Sequence, residues 1–240
     1  MLQKVRGIVL NSINYNDKYM LTHIYTDSLG RVTYLIPKTG SKTSKVKKAL
    51  FFPLAILEIE AEHRALREIQ RIKEAHAILP LHSIATDLGK TSVAFFLSEF
   101  LMKTLRDVNE NNSLFQYLSH SVEILEYTNK SIANFHLVFI LQLTRFLGFY
   151  PDLKSYKSGD YFDMINGVFV GRQPTHRYFV ASPESQALVQ LSRINYENMT
   201  LFKFSRQDRV AIINRFVEYY RLHLYSFTDL RSLNVLHELF

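Results

Sequence analysis

The chain has 240 residues, 47% hydrophobic and 21% charged, which is enough to bury the core of one large or two ordinary domains. It contains no cysteine, which excludes disulfides, thiol nucleophiles and thiolate metal sites together and fits a reducing compartment. The formal charge of +7 is lopsided: residues 1–80 carry thirteen Lys and Arg against seven Asp and Glu, whereas residues 81–240 carry sixteen against fifteen, the pattern of a polyanion-facing N-terminal unit joined to a near-neutral body.

The opening residues hold no long apolar run, so neither export nor membrane insertion is indicated and a cytoplasmic protein is expected. The first eighty residues are written in short strand-like runs. Residues 5–10 are rich in β-branched side chains. Residues 20–26 and 31–36 follow, separated by Asn16-Asp17 and by Asp27-Ser28-Leu29-Gly30, both of which are turn chemistry. In residues 57–62, Leu57, Ile59 and Ala61 alternate with Glu58, Glu60 and Glu62, the period of two of a strand with one buried and one wet face. The three carboxylates read as a solvated surface rather than a metal site. Strands this short and this closely spaced suggest a small closed or nearly closed barrel.

Between the third and fourth runs lies a loop with Lys38, Lys42, Lys45, Lys47 and Lys48 and no acid to offset them. Five cations within eleven residues cannot pair internally, and they repel one another until a polyanion neutralises them. Tyr15, Tyr19 and Tyr34 are available for base stacking, although Tyr34 is expected to point into the core with Val32 and Ile36. Residues 66–77 are ambiguous, because Leu66, Ile69 and Ile72 recur every three residues among good helix formers; periodicity alone favours a helix there.

After Pro80 the pattern turns helical. Residues 92–105 present Val93, Phe96, Leu97, Phe100, Leu101 and Leu105 on a broad face, and Ser113 can cap a run containing Leu114, Leu118, Val122 and Leu125. Residues 135–147 form a central helix, apolar around most of its circumference and too short for a membrane span. Ser131 or Asn134 can cap its start, Gly148 can take the left-handed conformation past its end, and Pro151 prevents a restart. Asn166-Gly167, flanked by apolar residues, signals a tight hairpin in an insertion at about 160–172. Helices then resume from Ser182, from Ser205 with Asp208 three residues on, and over residues 230–239.

Enzymatic signatures are missing. Gly89-Lys90-Thr91 resembles the end of a phosphate-binding loop, but the glycine required five residues before Gly89 is Ile84. The nine histidines are scattered singly; His136 and His223 lie within helices and read as packed rather than ligating. Arg106 and Arg145 read as ordinary helix-surface arginines.

Several segments together resemble a known family, the bacterial recombination mediator RecO. They are Arg6-Gly7-Ile8-Val9-Leu10, Asn16-Asp17-Lys18-Tyr19-Met20-Leu21-Thr22 and Thr26-Asp27-Ser28-Leu29-Gly30-Arg31-Val32. The lysine loop followed by Ala49-Leu50-Phe51-Phe52-Pro53-Leu54, then Leu147-Gly148-Phe149-Tyr150-Pro151-Asp152-Leu153 and Leu230-Arg231-Ser232-Leu233, continue the likeness in the right order over most of the chain. The resemblance implies an α+β protein: an oligonucleotide-binding (OB) barrel over residues 1–80 and a mainly α-helical domain over 81–240 with a short β-hairpin insertion. On that reading residues 66–77 contain the last barrel strand, against their periodicity. It also implies binding of single- and double-stranded DNA, annealing of complementary strands, and assistance in loading RecA onto gaps coated by single-strand-binding protein, with RecR as partner. Many members carry four cysteines of a zinc module after the Pro-Asp-Leu segment. This chain has none there, so no metal and no cofactor is expected, and Tyr161, Phe162, Val168 and Phe169 are candidates to keep the module's shape by packing.

The resulting expectation is a non-enzymatic DNA-repair mediator that grips phosphates through Arg31, Lys38, Lys42, Lys45, Lys47 and Lys48, with no membrane association. An RNA-binding or adaptor module using the same basic barrel is the alternative.

Overall fold

The longest strand, β1 (Leu2–Asn14), carries a buried apolar run over Ile8, Val9 and Leu10 between polar ends, and it is long enough to pair on both sides. Its first half runs antiparallel to β4 (Ile56–Glu62) and its second half to β2 (Tyr19–Thr26), which in turn pairs with β3 (Gly30–Pro37). The fifth strand, β5 (Ile69–Leu79), lies antiparallel to β4 and parallel to β3 through Thr33–Leu35 against Ile69–Arg71, so the order β1-β2-β3-β5-β4 closes on itself. This is an OB-like barrel. The computed structural model describes residues 2–38, 46–64, 66–106 and 108–239.

The three-residue spacing in residues 66–77 is thus that of a strand. Ile72 pairs with Ala61 and Glu74 with Glu60, so Lys73 is an extra residue in a bulge, and the core-facing positions run Gln70, Ile72, Ala75. The apolar spacing that suggests a helix lies before that bulge: Leu66 is fully exposed ahead of the strand, and Ile69 and Ile72 stand on opposite faces of β5, so their recurrence marks no buried stripe. The barrel core contains Val5, Val9, Ile24, Tyr34, Ile36, Leu57, Ile59 and Ala61, all buried. Tyr34 points inward as expected, its hydroxyl 2.7 Å from Nε2 of His63. Gly7 makes room for Ile24, whose Cγ2 a Cβ at position 7 would overlap.

By internal contacts the chain divides into two compact units, residues 1–127 with 230–236, and residues 128–229 with 237–240. In the first, the barrel is accompanied by α1 (Ser83–Thr86), α2 (Leu88–Thr104) and α3 (Asn112–Tyr127). The start of α3 is capped by Asn111, whose Oδ1 accepts from the Leu114 amide, rather than by Ser113. A second bulge, at Leu10 of β1, leaves a carbonyl outside the ladder, and Ser98 of α2 donates to it. The buried Glu126 carboxylate of α3 accepts the amides of His82, Ser83 and Ile84 at 3.0, 2.7 and 2.9 Å and so anchors α1. The segment Leu230-Arg231-Ser232 returns to this unit, where Glu99 of α2 accepts the amides of Arg231 and Ser232 and the Ser232 hydroxyl.

The second unit centres on α4 (Phe135–Leu147), with nine of its thirteen residues buried. Gly148 ends it at φ +85°, as its position after the apolar run suggests. Asn134 stands at the start, but its side chain does not cap the helix; its amide donates instead to the carbonyls of Met199 and Phe202. The capping box of Ser205 and Asp208 opens α6 (Arg206–His223), and α5 (Glu184–Leu191) belongs to the same unit, whereas α7 (Leu233–Leu239) begins in the first.

A hairpin of β6 (Tyr161–Asp163) and β7 (Val168–Val170) is present, extended by β8 (Phe179–Val180). Its loop holds four residues. Asp163 accepts from the amides of Ile165 and Asn166, and Gly167 occupies φ +67°. Phe162 and Phe169 pack at 5.2 Å between ring centroids, Tyr156 meets Phe169 at 5.1 Å, and Tyr161 meets Phe179 at 5.6 Å, so aromatic contacts hold the insertion together. A Cβ at Gly167 would lie 2.6 Å from the Tyr219 hydroxyl, in a conformation that already disfavours L residues. Gly167→Ala is therefore expected to cost about 2–3 kcal/mol in urea unfolding. A loss under about 0.5 kcal/mol would mean that Tyr219 yields freely.

Candidate nucleic-acid interface

The outside of the barrel has two unlike faces. On the β1–β4–β5 side the glutamate row is met by bases: from neighbouring strands Lys4 donates to Glu58 at 2.9 Å and Lys73 to Glu60 at 3.1 Å, and Arg64, two residues past the end of β4, donates to Glu62 at 2.6 Å. Within β5, the Glu74 carboxylate and the His76 ring lie 2.7 Å apart. These exposed pairs add little stability, but they cancel the charge of that face.

The β2–β3 side differs, because neither strand contains an acidic residue. Its outward positions are Tyr19, Leu21 and His23 on β2 and Thr33, Leu35 and Pro37 on β3, continued by Ile13 on β1. Tyr15 and Tyr19 are 57% and 37% exposed at the hairpin end. Asn16 fixes that end by accepting the amides of Lys18 and Tyr19 at 3.0 and 2.9 Å. The amide of Lys38 donates to the carbonyl of Lys18 at 2.9 Å, which brings these two cations to the same rim. Arg71 stands exposed opposite Leu35.

Of the sequence-predicted residues, Lys47 and Lys48 are exposed and Lys38 half-buried, and among the described residues none of the three has a carboxylate partner. Lys42 and Lys45 lie outside the described residues. Arg31 is half-buried and turned toward α2, where Nη1 donates to the Met102 carbonyl at 3.3 Å. Arg31 and the neutral-leaning His23, whose pKa is lowered by burial and then by Arg31, form the far edge of the face. Lys18 and Arg71 were not singled out by sequence, because only strand pairing places them beside the loop.

Elsewhere the chemistry is structural. Lys90, the lysine of the phosphate-loop lookalike, is buried and donates to the Ser83 hydroxyl and the Glu126 carbonyl. Arg145 lies 3.7 Å from the ring centroid of Tyr150, and Arg106 is exposed. Among the described residues no three His, Asp or Glu side chains gather as a metal site would require, and no helix is long and apolar enough to cross a membrane.

Comparison with known proteins agrees with this architecture. Residues 1–81 match the family model for the recombination protein O N terminal region, and residues 85–233 match that for its C terminal region. A protein of Bacteroides fragilis named DNA repair protein RecO is 47% identical over 244 residues, and one of Azobacteroides pseudotrichonymphae with the same name is 45% identical over 240, each match covering both chains completely. The protein so named in Flavobacterium johnsoniae is 30% identical over 238 residues, 99% of this chain and 98% of its own. Matched end to end by both halves of the family and by full-length relatives, the chain belongs to the RecO family of DNA repair proteins.

Proposed function

We propose that this protein is a non-enzymatic recombination mediator that binds single- and double-stranded DNA on the acid-free side of its barrel. The observation that carries this reading is the contrast between the two barrel faces: one neutralises its own glutamates, the other brings Lys18 and Lys38 to a rim beside exposed Tyr15 and Tyr19, and among the described residues these two, like Lys47 and Lys48 after the loop, have no carboxylate partner. Arg31, Lys38, Lys42, Lys45, Lys47 and Lys48 hold phosphates, while Tyr15 and Tyr19 stack on bases without reading sequence. Strand annealing follows when a dense set of cations screens the repulsion between two strands held together.

The division of labour follows the chain. Residues 1–80 engage DNA, and residues 81–240 supply docking surfaces for RecR and for single-strand-binding protein, through which RecA is loaded onto gaps. No cofactor enters. The deciding experiment is annealing of complementary oligonucleotides, bare and coated with single-strand-binding protein. Acceleration in both cases is expected. Absence of acceleration with bare strands would refute the reading, and preference for RNA over DNA of equal length would replace it with an RNA-binding role.

A further inference from the structure

Directly after the lysine loop the chain forms a 3-10 turn, Lys48–Leu50, and then Phe51-Phe52-Pro53-Leu54. Beside this turn opens a groove of about 280 Å³, walled by Leu50, Phe52, Leu79, Pro80 and Leu81, with only apolar residues lining it. Phe95 of α2 is 49% exposed and meets Phe52 edge to face, ring centroids 5.8 Å apart and planes at 71°. An open apolar groove edged by aromatic rings on an otherwise charged protein marks a binding surface.

The groove is preformed. Leu54 is buried at φ +65°, a left-handed conformation that disfavours a leucine, and the turn is held there by bonds to β1: the Leu54 amide to the Val9 carbonyl and the Val9 amide to the Ala55 carbonyl, both 2.9 Å. We infer that this groove takes an unpaired nucleobase from a DNA strand whose phosphates lie on Lys47 and Lys48. The inference rests on the DNA-binding reading above and adds strand discrimination to it.

Charge and shape choose the occupant together. Lys48 and Leu50 belong to one turn, so an occupant must bring a negative charge and a flat apolar surface close to each other, as a nucleotide does. The lining offers no hydrogen-bonding side chain, so it grips the π-face of any base and rejects none. A duplex keeps its bases paired and stacked, and gains from the lysines alone. The groove therefore favours single strands, and an annealing protein that holds a base out of its stack presents the neighbouring ones for pairing.

The test uses the full chain and fluorescence anisotropy at one salt concentration with three probes: a thymidine oligonucleotide, the same length with abasic sites, and a duplex. One base–aromatic stack is worth about 1–3 kcal/mol, so Phe52→Ala, which removes the ring lining the groove, is expected to weaken binding of the thymidine oligonucleotide about tenfold. Affinity for the abasic oligonucleotide and for the duplex stays unchanged, as does the salt slope. Leu50→Asn, at a second lining residue, should act in the same direction. If both variants treat the base-containing and abasic strands as the intact chain does, or if an acidic peptide with an apolar end competes without disturbing the base preference, the inference fails. Loss of binding to all three probes in the intact chain would instead refute DNA binding itself.

Discussion

Replacing Lys42, Lys45, Lys47 and Lys48 together by Glu is expected to weaken binding of single-stranded DNA at moderate salt by about a thousandfold or more. Each substitution removes one phosphate contact and sets a like charge against the backbone. If each of the five loop cations neutralises one phosphate, the loop contributes about −3.5 to the log–log salt slope on a single strand, and the variant should lose about 2.8 of it. Lys47 and Lys48 are exposed and without carboxylate partners among the described residues, so the fold does not depend on them. The melting temperature should stay within about 2 °C. Binding isotherms at several salt concentrations give both numbers, and an unchanged slope would move the interface elsewhere. Lys4→Glu and Lys73→Glu form the control, because they reverse charge on the face whose glutamates are already paired, and they should change affinity by no more than a few fold.

What sequence discloses here depends on how local the cause is. The C-terminal end of α4 is legible because Gly148 and Pro151 act within one turn of the chain, and the Ser205–Asp208 box for the same reason. The lysine loop is legible because its charges are contiguous. Residues 66–77 mislead because exposed Leu66, ahead of the strand, and Ile69 and Ile72, on opposite faces of it, fall three residues apart by chance; the likeness to the RecO family resolves it, since it brings the barrel topology with it. Asn134 is a sound cap by residue type, yet two carbonyls more than sixty residues away hold its amide. The neutral face could not be foreseen, because Lys4 and Glu58 are 54 residues apart and meet only across strands. The apolar groove is assembled from separated stretches around Phe52, Leu79 and Ala85, none of which stands out alone.

The second large effect is on stability against pH and concerns His136. This residue sits in the first turn of α4, 1% exposed, among side chains of the second unit's core. Burial, reinforced by the positive charge of Arg209 and by His237, lowers its pKa from 6.5 to about 3. The folded protein thus keeps the ring neutral where the unfolded chain binds a proton. By linkage, this group leaves stability unaffected above about pH 7.5 and lowers it as pH falls from 6.5 toward 3, with a slope approaching 1.4 kcal/mol per unit. The loss from His136 alone is about 2 kcal/mol at pH 5 and approaches 5 kcal/mol near pH 3. Carboxylates elsewhere also titrate over that range, so the measurement is a difference: urea unfolding of the intact chain and of His136→Leu at pH 7.5 and pH 5. The stability drop should be about 2 kcal/mol smaller in the variant, since leucine fills similar space and cannot take a proton. Equal drops in the two proteins, or a His136 ring that titrates near 6.5 by NMR, would show that water reaches the helix and that the core around α4 is not closed.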